Sequence, residues 1–233
     1  MKLNILYEDS CILVCEKPAG VPSQSDHSFD VDMVSHIKNY LYETYQKNNA
    51  YVGIIHRLDR PVGGVMVFAL TKQAAGELSR QITEQGITKE YLALVNGMPH
   101  SEQDTLIHYL VRDGKTNLSK VVHSKEKDAK EAVLSYELLT SMETQEGPIA
   151  LLKVMLKTGR HHQIRVQTRT ICEGIVGDTK YNPLYQRKRG YYPIGLYAYH
   201  LAFRHPVTKK GLDFLNVPKE SPFDIITNLD QYV

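Results

Sequence analysis

Short apolar segments, each closed by turn-forming residues, recur along this chain more often than helix-length amphipathic segments. Strands are predicted at residues 4–7, 12–16, 54–55, 65–70, 89–96, 133–139, 151–156 and 196–203. Apolar residues recur at helical spacing in only three places, residues 31–45, 72–85 and 163–173. Because the strands outnumber the helices and do not alternate regularly with them, the pattern predicts an α+β fold. Its central sheet is expected to be mixed and mostly antiparallel, with flanking helices and loops.

The length and composition are those of a globular chain. With 233 residues, 42% of them hydrophobic and 23% charged, the chain can bury roughly 70% of the surface that its unfolded form exposes. No internal repeat or linker divides it, so we expect a single domain over residues 1–233. It has no apolar run of about 18 residues and no secretion signal at its start. Three cysteines without a paired framework fit a reducing compartment, so we expect a cytoplasmic protein without a membrane partner.

Charge is distributed unevenly along the chain. The net charge is only +2, but residues 157–210 hold eleven basic and two acidic residues, a local charge of +9 that leaves −7 for the remainder. Six tyrosines lie in the same region: Tyr181, Tyr185, Tyr191, Tyr192, Tyr197 and Tyr199. Basic residues interleaved with aromatic rings suit the phosphates and unstacked bases of RNA. A solvated surface above core tyrosines would give the same pattern, so composition alone leaves both interpretations open.

A carboxylate flanked by two arginines stands between two apolar strands, in the pentapeptide His56-Arg57-Leu58-Asp59-Arg60. Neighbouring cations favour the ionised form of a carboxylate, so we expect Asp59 to be ionised at neutral pH. Such a group can act as a nucleophile or stabilise a cationic sugar centre. An ordinary loop salt bridge is the alternative that these five residues leave open.

The segment 157–165 places a Gly turn before a predicted helix start, where backbone N–H groups favour anions. Arg165 lies five residues beyond Arg160, so the two side chains face different directions, one suited to phosphate and the other to a carboxylate. Metal binding by His161 and His162 is disfavoured, because adjacent residues point apart on a helix and no Cys or acidic ligand stands at zinc spacing. We expect no metal.

Four further segments carry expectations about structure. Residues 89–96 predict a strand on which Tyr91 is more typical of a core residue than of a catalytic one when viewed alone. The polar stretch 101–130 is the weakest region for a core and is predicted to form a mobile arm, while residues 141–147 are predicted to be a hairpin loop. A helix at the start of 31–45 could be capped by Ser28 or Asp30.

Taken together, the motifs resemble the RluA family of RNA pseudouridine synthases, whose motifs occur in the same order. The matching segments are 16–22 (Glu-Lys-Pro-Ala-Gly-Val-Pro), 56–59 (His-Arg-Leu-Asp), 89–97 (Lys-Glu-Tyr-Leu-Ala-Leu-Val-Asn-Gly), 158–166 (Thr-Gly-Arg-His-His-Gln-Ile-Arg-Val) and 177–181 (Gly-Asp-Thr-Lys-Tyr). A closing strand at 200–206 and Val217-Pro218 complete the match, which covers essentially the whole chain. The resemblance implies the pseudouridine synthase fold and the isomerisation of uridine in tRNA or rRNA to pseudouridine.

The resemblance also implies roles for individual residues. Asp59 would be the catalytic aspartate, Tyr91 would remove the C5 proton or pack the base, and Arg165 would pair with the aspartate and orient it. Arg57 would help hold the place of the flipped nucleotide. Further RNA contacts are expected from seven residues: Lys17, His56, Arg60, Arg160, His162, Gln163 and Lys180. No metal or small-molecule cofactor is implied, and we expect a monomer.

Some features depart from the family pattern. The family usually continues His-Arg-Leu-Asp with x-x-Thr-Ser-Gly, whereas Val62 and Gly63 stand here in place of the two hydroxyl residues, and Gln167 stands where His is usual. The chain begins directly at the catalytic motifs, so it is similar to members without an N-terminal S4 domain. An RNA-binding protein of this fold with weak or no activity is the alternative. A sugar-acting hydrolase is disfavoured because no motif places a second carboxylate.

Overall fold

The computed structural model describes residues 1–25 and 30–233, which fall into two compact units. The first unit comprises residues 1–89 and 198–216, and the second comprises residues 90–197 and 217–233. Every strand pair whose register is resolved is antiparallel. The few helices lie among many strands, which confirms the predicted α+β class. In the described residues, no helix combines the length and the apolarity needed to span a bilayer.

The first unit is a sheet with two principal helices. Its elements are β1 (Asn4–Glu8), β2 (Ile12–Lys17), α1 (Met33–Tyr45), β3 (Gly53–Ile54), β4 (Gly63–Ala69), α2 (Lys72–Thr83), most of β11 (Leu196–Arg204) and β12 (Gly211–Leu215). The strand order is β1-β2-β4-β11, with β3 paired to β4 and β12 paired to β11. Every residue of β4 is buried, which explains why its sequence is continuously apolar instead of alternating.

The two long helices begin at side-chain caps. Thr71 accepts a hydrogen bond from the Ala74 N–H at the start of α2, as predicted. In α1 the cap is Asp32, which accepts from the Ser35 N–H. The predicted cap Asp30 is therefore wrong, and Ser28 lies outside the described residues. Ala74 and Leu78 of α2 pack into an apolar cluster with strand residues such as Val67.

The second unit is built on an antiparallel sheet in the order β5-β9-β8-β6-β7. Its elements are β5 (Thr88–Asn96), β6 (Gln103–Asp113), β7 (Leu118–Val122), β8 (Lys130–Thr144), β9 (Gly147–Leu156), α3 (Gln163–Thr168), β10 (Gly174–Ile175) and α4 (Pro183–Gln186), with 3-10 turns at Phe223–Ile225 and Leu229–Tyr232. Val166 of α3 packs against Leu110 of β6 and Ala132 of β8. The helix thereby fixes its segment to the sheet.

Four local predictions were wrong. The stretch 101–130 is not a mobile arm, because β6 and β7 pair within the sheet and β6 buries Leu106 and Leu110. Only alternate residues of β6 face inward, so the stretch looks polar as a whole. The loop at 141–147 shrinks to the turn between β8 and β9, since Thr144 already pairs with Gly147. The third helix ends at Thr168 instead of Glu173, and β12 follows the strand that was expected to be the last.

Gly64 in β4 tests how closely the first unit is packed. Its φ is +133°, and a Cβ built there would lie 2.3 Å from the Ala198 carbonyl oxygen. We expect Gly64→Ala to lower the free energy of unfolding by about 2–4 kcal/mol, because it adds both backbone strain and overpacking. Urea unfolding followed by circular dichroism measures the change. Gly76→Ala in the middle of α2, where a Cβ meets nothing within 4 Å, should raise stability by about 1 kcal/mol. Equal effects at the two sites would contradict this packing argument.

Candidate active site

Asp59 lies in a loop between β3 and β4, here called the Asp59 loop (residues 56–62). Its neighbour Leu58 is buried, and the Leu58 backbone makes two hydrogen bonds with the Ser23 hydroxyl, which donates to the carbonyl at 2.8 Å and accepts from the N–H at 3.2 Å. The Val62 N–H donates to the Asp59 carbonyl at 2.9 Å and closes a tight turn. The backbone around the carboxylate is therefore fixed on both sides.

Lys17, at the end of β2, is fully buried and joins two loops. Its ammonium donates to the carbonyls of Pro18 at 2.9 Å, Val21 at 2.7 Å and Arg60 at 3.1 Å. Burial lowers the pKa of Lys17 to about 7, against the opposing effect of the Asp59 carboxylate. The three carbonyls and the buried ammonium satisfy each other's hydrogen-bonding needs. This cation therefore ties the loop after β2 to the Asp59 loop.

The other charged residues of the Asp59 loop differ in exposure. Arg57 is exposed, and Arg60 reaches back to donate from Nε to the Gly20 carbonyl at 3.0 Å while pairing with Asp30. His56 accepts a hydrogen bond from the Val67 N–H at its Nε2. Burial lowers the pKa of His56 to about 3, so its ring is neutral and bears its proton on Nδ1. Arg57 and Arg60 thus supply the positive charge at the surface of this loop.

Tyr91 lies on β5 in the second unit and is 6% exposed. Its strand partner is Val154 of β9, and from Tyr91 to Asn96 every residue of β5 is buried. Burial on both faces of a strand explains why the alternation seen in the sequence did not separate an inner from an outer face. The phenol is held on a rigid strand instead of a loop.

Arg165 of α3 forms a buried ion pair with Asp178. The guanidinium donates from Nε to Oδ2 at 2.8 Å and from Nη2 to Oδ1 at 2.7 Å, with both side chains at most 5% exposed. Asp178 Oδ1 also accepts the N–H groups of Lys180 at 2.9 Å and Tyr181 at 3.2 Å. The Tyr181 ring lies 5.2 Å from the guanidinium carbon, within cation–π range. The Asp178 carboxylate and the face of the Tyr181 ring together fix the plane of the Arg165 guanidinium.

Tyr181 connects this pair to the N-terminal end of α3. Its hydroxyl accepts from the Ser119 N–H at 2.7 Å and lies 2.7 Å from His162 Nδ1. Burial, with Arg165 next in effect, lowers the pKa of His162 to about 2. The neutral His162 ring and the Tyr181 hydroxyl therefore share a hydrogen bond at Nδ1. Asp178, Tyr181 and Ser119 were given no role from the sequence, although the first two lie in the Gly-Asp-Thr-Lys-Tyr motif that pointed to them.

The residues of the second unit that were predicted to contact RNA differ in burial. Gln163 is 3% exposed, with Oε1 accepting from the Thr158 hydroxyl and the Arg160 N–H and Nε2 donating to the Val133 carbonyl. The Arg160 side chain is exposed and donates to the Glu131 carbonyl, and Lys180 is half-buried with Nζ on the Asn117 carbonyl. In the described part of the chain, no three His, Cys, Asp or Glu residues could hold a metal ion.

Known proteins similar to this chain identify its family. The sequence model described as RNA pseudouridylate synthase matches residues 11–170. The chain is 31% identical over 225 residues to tRNA pseudouridine synthase C of Vibrio parahaemolyticus serotype O3:K6, with 91% of this chain and 89% of that protein covered. The chain belongs to the RNA pseudouridylate synthase family. Membership confirms the predicted reaction, the isomerisation of uridine in RNA to pseudouridine, and RNA as the substrate.

Two further similarities agree with this family. Ribosomal large subunit pseudouridine synthase D of Zymomonas mobilis subsp. mobilis is 32% identical over 228 residues, with 91% of this chain and 68% of that protein covered. The solved structure titled Human RNA Pseudouridylate Synthase Domain Containing 1 has a TM-score of 0.77 at 24% identity, covering 99% of this chain and 92% of that one. At that identity the likeness concerns the fold, and it confirms the predicted pseudouridine synthase fold.

Within this family fold, four of the residues predicted to bind RNA are part of the interior framework. Lys17 is fully enclosed, His162 and Gln163 are less than 9% exposed, and the His56 ring is uncharged and hydrogen-bonded to the backbone of β4. The burial of Lys17 gives it a role in holding the Asp59 loop, and direct RNA contact by these four residues stays a prediction. The structure keeps Arg57, Arg60, Arg160 and Lys180 as surface cations, and RNA contact by these four stays a prediction.

The buried ammonium of Lys17 predicts a pH-dependent contribution to stability. Its folded pKa of about 7 lies below the ordinary lysine value of 10.5, so between these values the unfolded chain binds the proton more tightly than the folded protein. Stability from this group should therefore rise with pH across that window, by at most about 1.4 kcal/mol per pH unit. Urea unfolding of wild type and Lys17→Met from pH 6.5 to 10.5 measures it, since the difference between them cancels other titrations. A difference that does not change with pH would contradict the assignment.

Proposed function

We propose that this protein isomerises a uridine in tRNA. The observation that carries the proposal is the match to relatives named tRNA pseudouridine synthase C, which the chain covers over 88–97% of their length in the four that head the comparison. The relative named for the large ribosomal subunit is longer, and the chain covers only 68% of it. A substrate in rRNA is the competing outcome of the assays below. We further propose that the protein acts in the cytoplasm as a monomer without a cofactor.

Asp59 is proposed as the catalytic aspartate. Its carboxylate stands between two arginines, in a loop whose backbone is fixed by Ser23 and Lys17. When the C1′–N1 bond of the target uridine breaks, positive charge develops at C1′, and a fixed carboxylate opposes that charge. The uracil then turns, C5 bonds to C1′, the C5 proton leaves to a base, and N1 takes up a proton, so that the product is an isomer of uridine.

Tyr91 and Arg165 complete the proposed chemistry. The phenol oxygen of Tyr91 takes the C5 proton and passes its own hydroxyl proton on to water, and its rigid strand gives that oxygen a defined position. A guanidinium carries five N–H donors, more than one carboxylate can use. Arg165, held in plane by Asp178 and Tyr181, can therefore orient a second carboxylate, for which we propose Asp59.

Access to C1′ requires the uridine to leave its stack. Flipping costs a few kcal/mol, which phosphate contacts and the pocket must offset. We propose that Arg57, the exposed cation next to Leu58, occupies the space that the base vacates. Arg60, Arg160 and Lys180 supply phosphate contacts, so RNA affinity should fall as salt is added.

The replacement of the usual Thr-Ser pair by Val62 and Gly63 does not favour an inactive RNA-binding protein. Val62 is buried at 2% exposure, and its N–H closes the turn on the Asp59 carbonyl. Hydrogen bonds from Ser23 and Lys17 hold the same loop. The order that two hydroxyls could supply is provided by these other contacts, so we expect activity.

Asp59→Asn tests the proposed aspartate. Because the amide keeps the shape but not the charge, we expect conversion to fall to background while RNA affinity changes less than about threefold. Tritium release from [5-³H]uridine in tRNA and rRNA transcripts reports loss of the C5 hydrogen, and filter binding reports affinity. Asp213→Asn, an exposed carboxylate on β12, is the matched control and should keep full activity. Turnover by Asp59→Asn would contradict the assignment of Asp59 as the catalytic aspartate. Conversion of rRNA alone would overturn tRNA as the substrate.

Tyr91→Phe tests whether the hydroxyl acts as a base. Phenylalanine preserves the packing of the ring on β5 but cannot accept the proton, so we expect turnover to slow by about 10²- to 10⁴-fold with RNA affinity unchanged. The control is Tyr136→Phe on β8, another buried strand tyrosine, whose hydroxyl donates to the Ser101 carbonyl. If Tyr91→Phe turned over like Tyr136→Phe, the phenol would only pack the base.

A further inference from the structure

Residues 187–192, here called the basic–aromatic segment, present cations and a ring to solvent. The side chains of Arg187 and Arg189 are exposed, and Tyr191 is 76% exposed, the highest value among the exposed large hydrophobic side chains of the described residues. Within residues 1–25 and 30–233, neither guanidinium forms a hydrogen bond or an ion pair. Arg187 and Arg189 are therefore available to an external anion.

The segment is held in shape from within. At its start, the buried Asn182 side chain donates to Asn96 Oδ1 at 2.9 Å and caps α4. At its end, the Tyr192 ring meets Tyr185 edge to face at 5.3 Å, and its hydroxyl donates to the Arg189 carbonyl at 3.2 Å. Because Tyr185 and Tyr192 pack together, Tyr191 between Gly190 and Tyr192 is left outside. The exposure of its ring is thus a consequence of an ordered loop.

The charges of the segment favour a polyanion. No acidic residue occurs between 179 and 195. Lys188 forms an ion pair with Glu146 at 2.9 Å and lies over the Tyr185 ring at 4.9 Å. Its charge is therefore used in contacts within the protein. Arg187 and Arg189 on either side keep their charge for a ligand. Guanidinium groups pair with phosphate through two N–H donors, and an exposed phenol ring offers a face for a base.

We propose that Arg187, Arg189 and Tyr191 form an RNA contact separate from the binding of the target uridine, in which the arginines bind phosphates and the Tyr191 ring stacks on an unpaired base. The inference rests on the proposed RNA substrate and adds a single-stranded element to it. An acidic protein surface would also pair with the arginines but would not stack a base on the ring, and the test below distinguishes the two.

The absence of tryptophan from the chain gives a direct test of stacking. Tyr191→Trp places a single indole in the segment, and we expect a tRNA transcript or a decauridine oligonucleotide to quench its fluorescence in a saturable way. Tyr42→Trp, at a 50% exposed position on α1, is the control and should show little quenching. Equal quenching at both positions, or equal quenching of Tyr191→Trp by heparin, a polyanion without bases, would overturn the stacking contact.

Affinity measurements test how much Tyr191 and the two arginines contribute to the binding of RNA. Tyr191→Ala should weaken tRNA binding by about 5- to 100-fold and Tyr191→Phe by less than about twofold, because stacking needs the ring and not the hydroxyl. The double change Arg187→Ala with Arg189→Ala should lower the slope of log affinity against log salt by about 1.4–1.8, the value for two lost phosphate contacts. These changes should raise KM and leave kcat unchanged. Unaltered affinity and slope in both variants would overturn the proposal.

The proposed RNA contact and the proposed function are distinguished by experiment. Quenching of Tyr191→Trp by RNA without pseudouridine formation in any transcript would contradict the proposed function while supporting this contact. Pseudouridine formation with normal KM in Tyr191→Ala would contradict the contact while supporting the function. Binding of Tyr191→Trp to an acidic protein, with no quenching by RNA, would overturn the RNA assignment of this surface.

Discussion

The buried ammonium of Lys17 is the interaction on which the Asp59 loop depends. It gathers the carbonyls of Pro18, Val21 and Arg60, and a loop rich in Pro and Gly has few N–H groups that could satisfy them otherwise. A charge without water is costly, so its three acceptors must stay in place once the chain has folded. The backbone of the Asp59 loop is therefore held in place by Lys17, which is remote from it in sequence.

In the second unit, the buried cation near the proposed chemistry is fixed by a buried carboxylate of opposite charge. Arg165 and Asp178 are buried together, and Asp178 also organises the turn that places Tyr181 against the guanidinium. Removing one partner of such a pair leaves the other charge buried without a counter-charge, which lowers the free energy of unfolding by about 3–5 kcal/mol. In both units, a cation near the proposed chemistry is fixed by buried acceptors, and preorganisation of this kind is what transition-state stabilisation requires.

Much of this arrangement is predictable from the sequence, and the failures have physical causes. The strands at 4–7, 12–16 and 65–70 and the Thr71 cap follow from apolar runs and capping chemistry, and the structure confirms them. The strand β6 was missed because its apolar residues stand within a longer polar stretch, and only Leu106 and Leu110 among them are buried. The burial of Lys17 and Gln163 was not predicted, because charge and polarity in a sequence carry no information about burial. Asp178 was overlooked because its partner Arg165 is thirteen residues away.

Because the catalytic residues are proposed to act from a buried framework, substrate choice is left to exposed residues. The chain is 31% identical to a relative named for tRNA and 32% identical to one named for the large ribosomal subunit, so overall likeness does not separate the substrates. Motifs such as 56–59 and 158–166 hold residues of the buried framework, such as Leu58 and Arg165, and are proposed to serve the common chemistry. Differences in recognition must therefore arise at surface positions that can change without disturbing the buried charges. Arg187, Arg189 and Tyr191 are such positions, since their side chains contribute nothing to the hydrogen bonds that hold their own loop.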